Sequence, residues 1–114
     1  MSQPPKLVLL HVDPTLMPGV ERRVGAEFVR RIHAENAEHA LRASRSVLRR
    51  ANLDFEERTV IGDPAVEIIQ ACARPRTDLL VMGSRGRGAV QSAFLGSVAM
   101  KVLSGSKVPV TIVR

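Results

Sequence analysis

Blocks of apolar and polar residues along the chain predict four strands and three helices. Lys6 to Val12 is a nearly continuous apolar run of strand length, which is typical of a parallel strand covered on both faces, and Asp13-Pro14 ends it. Residues 14–22 contain two prolines and one glycine, a composition that predicts a loop. Helical spacing then continues from about Val24 to Ala51. The chain is therefore predicted to begin with a strand, a loop and a long helix.

The long helical segment has one apolar stripe, and most of its charged residues lie off that stripe. Its apolar residues recur at spacings of three or four, which places them on one side of a helix. We expect that side to pack on a sheet. The stripe consists of Phe28, Ile32, Ala37, Ala40, Ser44, Val47, Leu48 and Ala51.

The next segment is predicted to form a second strand and a second, shorter helix. Asn52 is predicted to stop the long helix, and Phe55 to Ile61 has the composition of a strand that ends at a glycine. In the Asp63-Pro64 pair that follows, Asp63 can accept hydrogen bonds from the N–H groups of a helix start, and proline suits the first helical position. A helix from Pro64 to Ala73 is therefore predicted.

The last segment adds two more strands around a third helix. Pro75 is predicted to break the second helix, Asp78 to Met82 to form a strand, a helix to end at about Leu103, and Val108 to Val113 to form the last strand. The order β-α-β-α-β-loop-α-β predicts an α/β fold with a parallel sheet and right-handed crossovers. At 114 residues, the chain is expected to form one domain over residues 1–114.

A glycine-containing loop between the third strand and the third helix is the predicted phosphate site. It reads Gly83-x2-Gly86-x9-Gly96-Ser97. Glycines let backbone N–H groups approach a bulky anion, and a helix start adds N–H donors and the positive end of a dipole. The sequence therefore predicts that this loop binds a nucleotide phosphate.

Composition excludes several other functions. Lys and Arg number 17 against 11 Asp and Glu, and the resulting charge of +6 favours anionic ligands. With three Phe and no Tyr or Trp, the chain is poorly supplied for stacking on single strands, so nucleic acid is not the expected partner. Cys72 is the single cysteine, which excludes a disulfide framework, and it is interpreted as a small buried residue.

No metal site or catalytic machinery is predicted. His33 and His39 are six residues apart and do not share a helical face, and no Cys/His cluster suggests zinc. His11, at a strand end, is interpreted as a packed, hydrogen-bonded residue rather than a base. Because no Ser-His-Asp order or carboxylate pair can be placed near the glycine loop, we do not expect an enzyme, and any hydrolysis of a bound nucleotide would be slow.

The chain shows no pattern for a membrane span or a secretory signal. It contains no apolar run of about 20 residues, and its first residues are polar instead of following the charged-then-apolar order of a signal peptide. We therefore expect a cytoplasmic protein.

Three stretches, in order, resemble the universal stress protein family. They are Leu9 to Val12, then Gly62 to Ala65 opening a helix, then Asp78 through Gly96-Ser97 to the last strand. The resemblance covers nearly the whole chain and implies the open parallel-sheet sandwich of that family, which is of the adenine nucleotide alpha hydrolase-like type, with the C-terminal strand at an edge. The Gly-x2-Gly-x9-Gly-Ser spacing resembles that of the ATP-binding branch.

The resemblance implies roles for individual residues, and it implies ATP, with or without Mg²⁺, as the ligand. Met82 would lie against the nucleoside, and Val98 would supply a contact at the helix start. Arg85 and Arg87 are added on chemical grounds, because guanidinium groups in the loop can pair with phosphate oxygens; two solvated loop cations are the alternative. The residues that would hold the phosphates and ribose are Gly83, Gly86, Gly96 and Ser97. Ser97 as a helix N-cap, and glycines that only serve unusual backbone angles, are the alternatives.

The chain departs from the family pattern at its N-terminus. Family members begin with a strand ending in an Asp that contacts adenine, then a helix, and only then a strand ending in His-Val. Here Lys6 to Val12 resembles that second strand, so the fold is expected to be truncated at the N-terminus and to leave edges unpaired beside the missing central strand. Three alternatives follow: the natural protein is longer, the Lys6 strand takes the central position, or another chain fills the gap. In the second case Asp13 would contact adenine; otherwise it is a turn residue before proline.

Two functions remain open from the sequence. The first is a stress-response protein that binds ATP or a related adenine nucleotide and acts as a sensor or regulator without fast chemistry. The alternative is a ligand-free dimerisation or scaffold protein of the same fold. A homodimer is expected in both cases, because the family resemblance implies dimer contacts through the C-terminal strand. Pro109 is expected to remove one donor from that edge.

Overall fold

Two pairs of parallel strands make up the sheets of the protein, and each pair belongs to its own part of the chain. The computed structural model describes residues 5–73, 77–84 and 95–114, which fall into two units, Met1–Gly62 and Asp63–Arg114. The first unit contains β1 (Leu7–Asp13), α1 (Val20–Val24), α2 (Ala26–Arg50) and β2 (Phe55–Ile61). The second contains α3 (Pro64–Ala73), β3 (Leu80–Gly83), α4 (Ser97–Gly105) and β4 (Val110–Val113).

In the first unit, β1 and β2 pair in parallel along their whole length. The register runs from Leu7 opposite Phe55 to Asp13 opposite Ile61, and the Gly62 N–H donates to the Asp13 carbonyl at 3.0 Å just beyond the last pair. The two strands therefore end at the same edge of their sheet, where ligands of parallel sheets bind.

The chain between β1 and α2 contains more helix than the sequence predicted. The predicted loop over residues 14–22 is wrong at its end, because α1 begins at Val20. Gly25 separates α1 from α2: its φ of 86° and ψ of 153° leave the helical region, which glycine does without a Cβ penalty. Its N–H still donates to the Glu21 carbonyl at 2.7 Å, so the two helices adjoin directly.

The buried side of α2 differs from the predicted stripe. His33, Ala37 and Leu41 are its buried residues, spaced four apart. Phe28 and Val47, which the pattern placed in the stripe, are 45% and 56% exposed. The apolar pattern missed His33 because a histidine counts as polar, whereas its burial depends on a hydrogen-bond partner on another element.

The predicted end of α2 at Asn52 is confirmed. Asn52 takes a φ of 57°, and its N–H donates to the Arg49 carbonyl at 3.0 Å, while the Leu53 N–H reaches back to Leu48 at 3.1 Å. These two bonds form a Schellman motif, in which asparagine tolerates the left-handed conformation that ends a helix.

A bidentate ion pair connects α2 to β2. Arg45 donates from Nε and Nη2 to the two carboxylate oxygens of Glu57, at 2.5 and 2.9 Å, and from Nη1 to Glu38 at 2.9 Å. The hydrogen bonds from Arg45 lower the pKa of Glu57 and of Glu38 below their usual values. The planar guanidinium fits a carboxylate in this geometry and so fixes how α2 lies on the sheet.

In the second unit, α3 begins as predicted. The Val66 N–H donates to the Asp63 side chain at 3.1 Å, with Pro64 at the first helical position, which confirms Asp63 as a cap. Cys72, near the end of α3, is buried, and burial raises the pKa of its thiol, which confirms the prediction of a packed residue. Val102 on α4 is fully buried.

The strands of the second unit are shorter than predicted. β3 starts at Leu80 instead of Asp78, and β4 at Val110 instead of Val108, because pairing begins only where the Leu80 N–H donates to the Pro109 carbonyl at 2.9 Å. Alternating residues of each strand are half-buried and exposed. Pro75 lies outside the described residues.

The described strands pair in parallel as β1 with β2 and β3 with β4. The N-terminal truncation stays a prediction, as do its three explanations: a longer natural protein, a Lys6 strand in the central position, and a strand from another chain. The single-domain organisation also stays a prediction.

Candidate functional site

The two ends of the glycine loop meet at the carboxyl end of β3. The Gly96 N–H, at the start of α4, donates to the carbonyl of the buried Ser84 at 2.7 Å, and the Ser84 N–H donates to the Val113 carbonyl at 2.8 Å. These bonds join the end of β3, the end of β4 and the start of α4. The second unit therefore places a helix start at the sheet edge where parallel sheets bind ligands.

The structure brings the described loop residues to this junction. Met82 is half-buried in β3, Gly83 is its last residue, and Val98 is half-buried in the first turn of α4. Ser97 is exposed as the first residue of α4. The remaining predicted loop residues, Arg85, Gly86 and Arg87, lie outside the described residues.

At the described end of the loop, the structure decides the alternatives for Ser97 and for Gly96. Gly96, not Ser97, occupies the N-cap position of α4, so Ser97 is not the predicted cap. Gly96 has a φ of −67° and a ψ of 164°, which any residue can adopt, so it does not serve an unusual backbone angle. What distinguishes glycine at this position is therefore its lack of a Cβ, which allows a ligand to approach the backbone closely.

Asp13, at the end of β1 in the first unit, is the centre of a polar cluster. Its side chain accepts from His33 Nδ1 at 2.5 Å, Asn36 Nδ2 at 3.0 Å and His11 Nε2 at 3.2 Å. Asp13 and His33 are only 7% and 8% exposed. The cluster confirms His11 as a packed, hydrogen-bonded residue, and it gives Asp13 a role beyond that of a turn residue.

Sequence reasoning missed His33 and Asn36, although a signal was present. His11 and Asp13 are two apart on a strand, and therefore point to one face, while His33 and Asn36 are three apart on a helix and are neighbours on its surface. Two such polar pairs on elements that pack together predict contact. The separation of His33 from His39 gives no such signal, and His39 is exposed.

Hydrogen bonding decides the charge state of Asp13. Burial alone would raise its pKa, but the hydrogen bonds from Asn36, His33 and His11 outweigh burial, and the pKa lies below the usual 3.8. Asp13 is therefore a carboxylate at neutral pH, with both oxygens engaged by neighbouring side chains.

Acidification should therefore remove the stabilisation that Asp13 supplies. Because the folded pKa is lower than the unfolded one, this stabilisation is fully present above the unfolded value of 3.8 and is lost as the pH falls through the folded pKa. Urea denaturation of the natural chain and Asp13→Asn, at about pH 7 and about pH 3, would measure this effect. We expect the difference between the two proteins to shrink at the lower pH. An unchanged difference in the free energy of unfolding would contradict a lowered pKa of Asp13. Because both proteins contain Glu38 and Glu57, the contributions of these two residues cancel in the comparison.

The described residues contain no group of three or more His, Cys, Asp or Glu side chains arranged to hold a metal ion. None of the helices in those same ranges has both the length and the hydropathy needed to cross a bilayer.

Comparison with known proteins identifies the family. A model described as the universal stress protein family matches residues 3–114. The chain belongs to the universal stress protein family. A Thermus aquaticus protein described as a universal stress protein in the QAH/OAS sulfhydrylase 3'region is 51% identical over 53 residues, which cover 46% of this chain and 39% of that protein. Universal stress protein MJ0531 of Methanocaldococcus jannaschii is 26% identical over 103 residues, covering 90% of this chain and 61% of that protein.

A solved structure of the same family shows the same fold. The structure of hypothetical protein MJ0577 from Methanocaldococcus jannaschii superposes with a TM-score of 0.74 at 25% identity, covering 99% of this universal stress protein and 78% of that chain. This likeness confirms the predicted α/β class with parallel strands. The matched regions span 39% and 61% of the two curated relatives above, so this universal stress protein corresponds to part of their length.

Proposed function

We propose that this stress-response protein binds ATP or a related adenine nucleotide through the Gly-x2-Gly-x9-Gly-Ser loop. The observation that carries the proposal is the junction formed by Gly83, Ser84 and Gly96, where a strand end and a helix start are held together by the 2.7 Å bond across the loop. A helix start offers N–H donors and a positive dipole end to a phosphate. The loop spacing supports ATP because it resembles the family's ATP-binding branch.

The role that fits such a site is that of a cytoplasmic sensor or regulator, not of a fast enzyme. Fast hydrolysis of a phosphoanhydride needs a group that positions or deprotonates water near the phosphate. Among the described residues at the junction, Met82, Gly83, Gly96 and Val98 have apolar or no side chains, and Ser84 and Ser97 carry only hydroxyls. The bound nucleotide, with or without Mg²⁺, would then act by shifting the stability or the partners of the protein.

The test is direct analysis of the purified protein for nucleotide. Heat denaturation should release an adenine nucleotide that chromatography identifies, and ATP added to nucleotide-free protein should raise the melting temperature. At a concentration of about 100 times Kd, the added stability is about 2.7 kcal/mol, enough to raise the Tm by roughly 10 °C. No released nucleotide and no rise in Tm would refute the proposal and would favour the ligand-free scaffold.

A homodimer through the C-terminal strand is a further part of the proposal. Pro109 and Val113 turn their carbonyls toward β3. In a parallel strand, the N–H and C=O of one residue point to the same side, and those of the next residue point to the opposite side. The N–H and C=O of Val110 and Ile112 therefore point away from β3. Pro109 faces β3, so the N–H that it lacks would have pointed toward β3. The prediction that Pro109 removes a donor from the outer edge is therefore wrong.

Ile112→Pro should therefore weaken the dimer. This substitution removes an N–H that points away from β3 and leaves the backbone hydrogen bonds between β4 and β3 in place. Ile112→Ala is the matched control, because it also loses the isoleucine side chain but keeps the N–H. We expect at least a roughly tenfold rise in the dissociation constant for proline relative to alanine, measured by light scattering across a dilution series. Equal dissociation constants for the two variants would exclude this edge as the dimer contact.

A further inference from the structure

A cavity of about 380 Å³ lies in the first unit, where β1 and β2 end. It is bounded by the chain that follows β1, by the start of α2 and by the last residue of β2. Cavities of this size hold small organic molecules. The wall residues that matter for its chemistry are Leu16, Met17, Pro18, Val29, His33 and Ile61.

The wall is mainly apolar and partly open to water. Met17 and Ile61 are 77% and 51% exposed, although both are large apolar side chains. A ligand with an apolar body would cover them and remove their surface from water, which contributes about 25 cal/mol per Å². The apolar wall therefore favours a ligand that is largely apolar.

His33 is the buried polar group of the wall, and its orientation is fixed. Its Nδ1 lies 2.5 Å from a carboxylate oxygen of Asp13, which Asn36 and His11 hold in place. Because a carboxylate can only accept, Nδ1 carries the hydrogen, and in the neutral ring Nε2 is then an acceptor. His33 lines the cavity, and Nε2 is the ring nitrogen that Asp13 does not engage, so it is the atom of His33 that a ligand would use.

The charges of the wall do not favour an ion. Arg30 and Glu21 both line the cavity and have opposite signs, and Arg30 is already paired with Glu27. A charged ligand would meet both signs, whereas a neutral one loses little solvation on entry. The required ligand is thus neutral, with a hydrogen-bond donor for Nε2.

We propose that this cavity binds a small neutral alcohol with an apolar body, whose hydroxyl donates to His33 Nε2. The apolar body contacts Met17, Val29 and Ile61. Asp13 acts through His33 by holding the ring in the tautomer that accepts. This site lies within the first unit and does not depend on the glycine loop of the second.

Phenol and toluene are a matched pair of probes, because they differ by a hydroxyl in place of a methyl group. Titration of ¹⁵N-labelled protein at neutral pH should give saturable amide shifts at Met17, Val29 and Ile61 with phenol. The His33 Nε2 resonance should shift with phenol and not with toluene, because only phenol can donate to it. Phenol binding without a shift of Nε2, or no saturable binding of phenol, would overturn the proposal.

Three variants separate the hydroxyl contact from general binding. His33→Phe should weaken phenol binding about fivefold without weakening toluene binding, the size expected for one hydrogen bond. His39→Phe, an exposed histidine on the same helix, is the control and should bind both probes normally. If His33→Phe does not fold, Val29→Phe should fill the cavity and abolish binding of both. The assignment would be overturned if His33→Phe weakened the binding of phenol and of toluene equally. It would also be overturned if the natural protein formed a dimer that Val29→Phe disrupts, because the apolar wall would then be a dimer contact.

Discussion

Replacing Asp13 by alanine should lower the free energy of unfolding of the first unit by about 3 kcal/mol. The substitution leaves His33 and Asn36 without the acceptor that both of them use, and His33 is buried. Donors that lose a charged acceptor without gaining water cost more than the removed bonds alone. The cluster also connects the end of β1 to α2, so its loss weakens the packing of the helix on the sheet. Urea denaturation followed by circular dichroism would measure the change.

Two further variants make this prediction specific. Asp13→Asn keeps the shape and one acceptor oxygen, so its cost should fall between those of alanine and of the natural residue. Asp54→Ala removes an exposed carboxylate from the same unit and should change stability by less than about 0.5 kcal/mol. If Asp13→Ala costs no more than Asp54→Ala, the cluster does not stabilise the protein.

Ser97→Asp should reduce by at least about half the rise in melting temperature that ATP is expected to produce. Ser97 is the exposed first residue of α4, where an acidic side chain suits the helix itself. A phosphate at the same helix start would meet that carboxylate at close range, where two like charges about 4 Å apart repel by roughly 4 kcal/mol near a protein surface. The variant is therefore expected to fold normally and to lose nucleotide affinity at least tenfold.

The control for charge is Ser104→Asp on the same helix. Ser104 is exposed in the last turn of α4, so it receives the same added charge away from the helix start. This variant should keep the ATP-induced rise in melting temperature, although it starts from a slightly lower value because an acid at a helix end opposes the dipole. Equal responses of the two aspartate variants to ATP would place the phosphates elsewhere.

The sequence predicted the elements of the fold well because local rules decide them. The strand Phe55–Ile61 and the helix Pro64–Ala73 have the predicted bounds, and Asn52 ends α2 as expected. In each case the deciding signal lies within a few residues, such as a proline at a first helical turn. The family was also predicted from short stretches, and the family model over residues 3–114 confirms it.

Predictions failed where a residue's role depends on distant partners. The buried side of α2 includes His33, which no apolar pattern selects, and excludes Phe28. The partners of Asp13 were not predicted either, because its carboxylate accepts from side chains 20 and 23 positions away; its contact with adenine stays a prediction. Hydrogen-bond partners at such separations are fixed by how a helix lies on a sheet, and composition does not encode that directly.

The sequence by itself determined the order of the elements other than α1, the family, and the glycine loop as the predicted phosphate site. The tertiary structure decided which groups meet: the loop ends joined through Gly96 and Ser84, and Asp13 joined to His33 and Asn36. It also decided the register of the parallel pairs β1 with β2 and β3 with β4. The physical reason is that helices, turns and caps form from contacts within a few residues, whereas buried polar groups take their partners wherever packing brings a donor to an acceptor.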